Sequence, residues 1–357
     1  MDFSKLKIVE LASVLAGPSV GMFFAELGAT VVKIENKRTN GDVTRNWKLP
    51  SEKKEEISAY FSSINWGKKH LFIDYGDKDD YAKMMQLIAE ADILICNFKE
   101  GGAQKFKLDY DSIKKTNNRI IYAQLNGFKS VPKRVAFDVV LQAECGYMYM
   151  NGQKDSPPTK MPLALMDILA AHQLKEGVLI ALLKRESTNE GALVTTSLEE
   201  SAISALANQA TNWLMNEKIP QRIGSLHPNI APYGDVFITK DNKELVLAIG
   251  SDVQFQKFCK LINLTDVAFE SNYSNNESRV KNRTELQFIF SKAILNFDRD
   301  YLIDECIELG IPMGAIKNME EVFKSSVAKN MILEEKVENQ ITKRVKSIAF
   351  DIVTTKS

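Results

Sequence analysis

The chain has 357 residues, 45% of them hydrophobic, and 46 Lys+Arg against 46 Asp+Glu leave it with no formal net charge. That length suits one large domain or two smaller ones with a real core, and the lack of a basic excess argues against a nucleic-acid binder, whose affinity rests on neutralising phosphates. No apolar run reaches the roughly 18 residues of a membrane span, and the opening MDFSKLKIVELAS has no basic stretch leading into an apolar one, so a cytoplasmic protein with neither membrane nor nucleic acid as partner is expected.

In chain order, the apolar run 6–11 predicts a buried strand. Residues 17–29 follow with helical spacing, Pro18 in the first turn and Gly28 at the end. Further strands are predicted at 30–35, 70–75 and 92–98, a helix at 79–91, and a helix end followed by a strand within 112–128. This alternation argues for a parallel sheet with helices on its faces. Residues 138–150 read as helical and 152–160 as a loop broken by Pro157-Pro158. The strongest helix is 167–186, apolar on most faces; a strand at 192–198 and a helix at 199–215 complete the unit. After residue 216 a Pro- and Gly-rich linker leads to a hairpin over 237–250, turning at Asp241-Asn242, and to helices at 253–262, 280–296 and 299–309. The expected division is a large domain over 1–215, a linker and small α+β domain over 216–325, and a tail over 326–357 that completes the first domain with a strand at 346–353.

Several chemistries are excluded. The turn AGPSVG between the first strand and helix is not G-x-G-x-x-G, and Pro18 removes an amide that a pyrophosphate would use, so Glu35 does not read as the ribose-binding acid of a dinucleotide site. No nucleophile elbow, phosphate-binding P-loop or H-E-x-x-H motif is present, and His70, His172 and His227 lie far apart. The four cysteines, Cys96, Cys145, Cys259 and Cys306, form no C-x-x-C pair and read as free thiols. No metal site is expected. What stands out is Asp167, a carboxylate inside an apolar, small-residue run; burial there raises a pKa unless something pairs with the charge. Capping of the helix that follows is the plain alternative.

The ordered set VLAGPSVGMFFAELGATVVKIE, GDVTR (41–45), NWGKKHLFIDY (65–75), ADILICNFKEGG (91–102), FDVVLQAECG (137–146) and the Asp167 helix resembles the family III CoA-transferases, a group that includes formyl-CoA and carnitine CoA-transferases and the 2-methylacyl-CoA racemases. The resemblance implies a Rossmann-like large domain, a smaller domain and an interlocked homodimer. It implies acyl-CoA and a small carboxylic acid as partners, with coenzyme A as substrate and no tightly bound cofactor. It makes Asp167 the nucleophile, forming first a mixed anhydride and then an aspartyl-CoA thioester; exchange between carboxylates is nearly isoenergetic, provided water is excluded. By the same similarity, CoA is expected at Val14, Leu15, Ala16, Arg38, Ile73, Asp74, Tyr75, Asn97, Phe98, Lys105, Phe137 and Asp138. Gly76 stands where a lysine is usual, with Lys78 as its substitute, and Leu15 stands where formyl-CoA transferase has a substrate-binding glutamine. The loop that covers the intermediate in that enzyme has its nearest counterpart in RIGSLHPN (222–229). The racemases carry a histidine at the position of Phe137, and phenylalanine moves no proton, so transfer is preferred to isomerisation; a non-catalytic CoA-binding protein is the third alternative.

Overall fold

The structure, a computed structural model, describes residues 2–337 and 339–353. Six strands, β1 (Lys7–Glu10), β2 (Thr30–Asn36), β3 (Lys68–Ile73), β4 (Ile93–Cys96), β5 (Ile121–Asn126) and β6 (Ala192–Ser197), form one sheet in the order β3-β2-β1-β4-β5-β6. Every pairing is parallel. Alternate residues face opposite sides, as a pleated strand requires. Ile8, Ile93, Ile95, Ile121 and Ala123 pack into a core with the helices Ala16–Glu26 and Leu165–Thr188. Val9, Leu94, Cys96 and Tyr122 enter a second core with Lys78–Ala89 and Tyr110–Thr116. Burial on both faces explains why these strands read as continuous apolar runs.

The chain divides into two compact units. One gathers the chain up to Tyr147, Lys160–Lys218 and the chain from Val327 on; the other comprises Met148–Thr159 and Ile219–Ser326. Met148–Thr159 thus interrupts the 1–215 stretch expected to be one domain. The second unit has its own antiparallel sheet, β7 (Tyr233–Ile238), β8 (Glu244–Ala248) and β9 (Met313–Ala315) in sequential order. Its core is aromatic, with Phe237, Phe255 and Phe258 packed around Phe290. The hairpin turns where expected, with Asn242 at φ 55°, but β7 begins at Tyr233, inside the stretch read as linker.

Three further expectations are corrected. The predicted helix 138–150 breaks at Cys145 and Gly146, the glycine holding φ 85°, into Asp138–Glu144 and Tyr147–Met150. The predicted helix 199–215 is two, Leu198–Ser204 and Ala207–Asn216, because Ala207 adopts φ 46°. The described tail 346–353 forms no strand. Its Ser347 and Ile348 amides donate at 3.0 Å to the Glu26 carboxylate, which takes the place of a sheet partner. The strands of this region are instead the hairpin of β10 (Ile332–Val337) and β11 (Gln340–Val345). It is fastened to the end of the Ala16–Glu26 helix, in the same unit, by an ion pair between the buried side chains of Arg344 and Glu26.

Candidate active site

Parallel sheets of this order open a crevice beyond the carboxyl ends of their strands. A cavity of about 580 Å³ lies there, lined by the segments after β1 (Ser13–Ala16), after β4 (Asn97–Gly101) and after β5 (Gly127–Lys129), by Lys133–Phe137, and by Asp167. The Asn97 amide ties two of these segments together. Its Oδ1 accepts the Ser13 N–H at 3.1 Å and its Nδ2 donates to the Ser13 carbonyl at 2.9 Å.

Asp167 is 8% exposed. It occupies the third position of the Leu165–Thr188 helix, so it does not act as the N-cap. Capping falls to Asp138, which arrives from another segment and accepts the Met166 N–H at 2.6 Å and the Asp167 N–H at 3.4 Å. Gln142 holds Asp138 in turn, donating to its Oδ2 at 2.6 Å. Among the described residues, no cation pairs with Asp167. Burial, then the negative charge of Asp138, pushes its carboxyl up to about 7. Tyr60 feels the same charges: burial first, then Asp167, Asp138 and Asp42, push its hydroxyl up to about 12.

Of the residues expected at a CoA site, Val14, Leu15, Ala16, Asn97, Phe98, Phe137 and Asp167 line this cavity. The others do not. Asp138 is engaged as the helix cap, and Ile73 is fully buried in the second core. Arg38 pairs with Asp74 at 2.8 Å. The Arg38 guanidinium lies close over Gly76, where an added Cβ would stand 2.5 Å from its Nη2. Tyr75 and Lys105 both pack on Phe106, the rings of Tyr75 and Phe106 lying 5.4 Å apart edge to face and the Lys105 ammonium 5.5 Å from the Phe106 ring. Sequence reading missed the cavity's cations, Lys99, Lys129, Lys133 and Arg134. Arg134 is paired with Glu144 at 2.7 Å and lies over the Phe128 ring, and Lys129 pairs with Glu200. No ion pair among the described residues holds Lys99 or Lys133. The clustered KSVPKR run (129–134) was the available signal, though a basic loop by itself reads as solvated surface.

No histidine lines the cavity. His70 sits 2.9 Å from Glu35, which Arg45 also grips with two 2.7 Å hydrogen bonds. Burial works against the Glu35 charge, but these partners win and its pKa is depressed. Glu35 is thus spent inside the fold, as the rejection of a dinucleotide site requires. Among the described residues, no three His, Cys, Asp or Glu side chains gather as a metal site, and no helix is long and apolar enough to cross a membrane.

The sequence matches CoA-transferase family III over residues 3–355. The chain belongs to that family. This CoA-transferase is 34% identical, over 90% of its length and 81% of the relative's, to the succinate–glutarate CoA-transferase of Agrobacterium fabrum (strain C58). It is 32% identical, over 89% and 81% respectively, to the succinyl-CoA:mesaconate CoA-transferase of Haloarcula hispanica. A solved CAIB/BAIF family protein from Brucella suis superposes with a TM-score of 0.85 at 33% identity, covering 98% of this chain and 92% of that one. The chain is therefore an acyl-CoA:carboxylate CoA-transferase, and CoA thioesters are its substrates.

Proposed function

We propose that this enzyme exchanges CoA between short dicarboxylic acids, with Asp167 as the nucleophile. The observation that carries this reading is a nearly buried carboxylate, without a cation, on the wall of a cavity of ligand size. In the reaction, an Asp167 oxygen attacks the thioester carbonyl and expels the CoA thiolate, leaving a mixed anhydride. The thiolate then attacks the Asp167 carbonyl, releases the donor as its carboxylate, and leaves an aspartyl-CoA thioester. The acceptor carboxylate attacks that thioester and expels the thiolate. Attack of the thiolate on the acceptor's acyl carbon then frees Asp167. Each step exchanges one carboxyl derivative for another, so neither ATP nor net proton transfer is needed.

The raised pKa serves this chemistry. A carboxylate stripped of solvent is a stronger nucleophile than one in water, and Phe98 and Phe137 add apolar surface to the cavity it borders. Phe137 offers no proton and no histidine faces the cavity, which supports transfer over the two-base isomerisation. Dicarboxylates are favoured because the relatives' names specify succinate, glutarate and mesaconate. Lys99 and Lys133 on the cavity wall are available for an anionic group, either the acid's distal carboxylate or a phosphate of CoA. Arg38, Asp74, Tyr75 and Lys105, outside the cavity lining, are proposed to meet the adenosine end. The proposal extends to an interlocked homodimer in a reducing cytoplasm. Exposed apolar side chains such as Leu214, Met215 and Ile352 support the first part, and four free cysteines support the second.

The test is chemical trapping. Incubation with succinyl-CoA followed by hydroxylamine or borohydride should leave a modification at Asp167, located by peptide mass spectrometry. An unmodified Asp167 across a panel of acyl-CoA donors, with Asp167→Ala retaining full activity, eliminates the mechanism.

A further inference from the structure

Glu10, Lys33, Asp42 and Lys68 meet in the dry interior beneath the loop after β1, every one of them buried. Lys33 Nζ lies 2.9 Å from Glu10 and 3.1 Å from Asp42, and Lys68 Nζ lies 2.8 Å from Glu10. Two cations offset two anions. The Glu10 and Asp42 charges outweigh burial at Lys33 and raise its pKa, whereas at Lys68 burial prevails and lowers it to about 8. Such a cluster is a poor device for stability alone, because well-packed apolar residues of the same volume serve as well or better.

Its remaining contacts converge on one short segment. Lys33 donates to the Ala12 carbonyl at 2.7 Å and Lys68 to the Pro18 carbonyl at 2.8 Å, while Asp42 accepts the Val14 N–H at 3.3 Å. These groups bracket Ser13–Ala16, which line the cavity beside Asp167. Val14 holds φ 73°, a conformation that a β-branched residue keeps only where its surroundings over-determine it. The neighbouring helix is cut away to admit the cluster: a Cβ on Gly21 would come within 1.9 Å of Glu10 Oε2.

We infer that Asp42, Lys33 and Lys68 are positioning residues for CoA transfer: the buried cluster clamps the strained Ser13–Ala16 loop into the shape that receives the acyl-CoA thioester. This rests on the cavity being the acyl-CoA site. The clamp works on three backbone groups at once, so the loop's shape is set before substrate arrives and little ordering is left for binding to supply.

The test compares Val14→Gly with Val14→Ala, and adds the charge-balanced double variant Asp42→Asn/Lys68→Met. Alanine removes the valine methyls but retains the restricted backbone; glycine removes the restriction as well. Val14→Gly is expected to unfold no earlier than Val14→Ala, yet to have a kcat/KM for acyl-CoA at least ten-fold lower, through a raised KM. The double variant should show the same loss, with its circular dichroism spectrum retained. A ratio below three between the two Val14 variants overturns the inference, and that comparison decides the matter if the double variant does not fold. Hydroxylamine trapping on the wild-type enzyme separates the two readings. A trapped Asp167 with equal Val14 variants counts against the clamp alone, whereas an untrapped Asp167 counts against the site.

Discussion

Replacing Asp167 by asparagine should abolish CoA transfer and at the same time make the fold more stable at alkaline pH. Burial and the Asp138 charge push the carboxyl up to about 7 in the folded chain, from its ordinary 3.8. Between these values the folded state holds a proton that the unfolded state has released, so the wild type loses stability as pH rises through this window, and the loss is complete above about 7. A gap of roughly 3 pKa units corresponds to about 4 kcal/mol at full development. Asparagine cannot ionise and escapes this loss, and any cost of its buried amide is the same at every pH and cancels from a comparison between two of them; about 1 kcal/mol of the wild-type loss has already developed at pH 4.5. The stability difference between Asp167→Asn and wild type should therefore be about 3 kcal/mol more favourable to the variant at pH 8.5 than at pH 4.5. Urea unfolding followed by tryptophan fluorescence is a suitable assay, because Trp47, Trp66 and Trp213 all belong to the unit that holds Asp167. Identical pH dependence in the two proteins would refute the reasoning, since it would mean that Asp167 ionises in the folded state as easily as in water.

Other consequences can be measured separately. The nucleophile must be ionised, so kcat/KM of the wild type should climb with pH through about 7 and level off above it; a flat profile from pH 5.5 to 8.5 contradicts this assignment. Asp138→Asn keeps an acceptor for the helix amides but removes the neighbouring negative charge, so the inflection should move to lower pH while the unfolding midpoint changes little. Lys133→Ala should weaken CoA binding by about two- to ten-fold at low salt and less at high salt, as expected for a single exposed cation; isothermal titration at two ionic strengths is the check. Arg344→Leu leaves the buried Glu26 carboxylate without its cation and should cost about 3–5 kcal/mol in chemical denaturation, with a smaller loss counting against the tail's docking role.

The cavity was only partly legible in the chain. Leu15, Asn97 and Phe98 reach its wall because each follows a strand whose apolar pattern was plain, and Phe137 because it opens the Asp138–Glu144 helix. Lys99 and Lys133 were missed because a surface lysine, alone or in a short basic run, carries no periodic signal; its role depends on which crevice it borders. Asp138, read as a CoA contact, also caps a helix that begins 27 residues later, a pairing that no local pattern can announce.

By itself the sequence determined the alternation of strands and helices, the parallel sheet and the suspicion attached to one aspartate, because these depend on residue spacing and on the cost of placing a charge among apolar neighbours. Only the tertiary structure decided that, among the described residues, Asp167 is left without a cation while Glu35 and Glu10, equally acidic in the chain, are given theirs. The energy of a buried charge is set by the groups that lie within a few ångströms of it, and those come from segments far apart along the polypeptide.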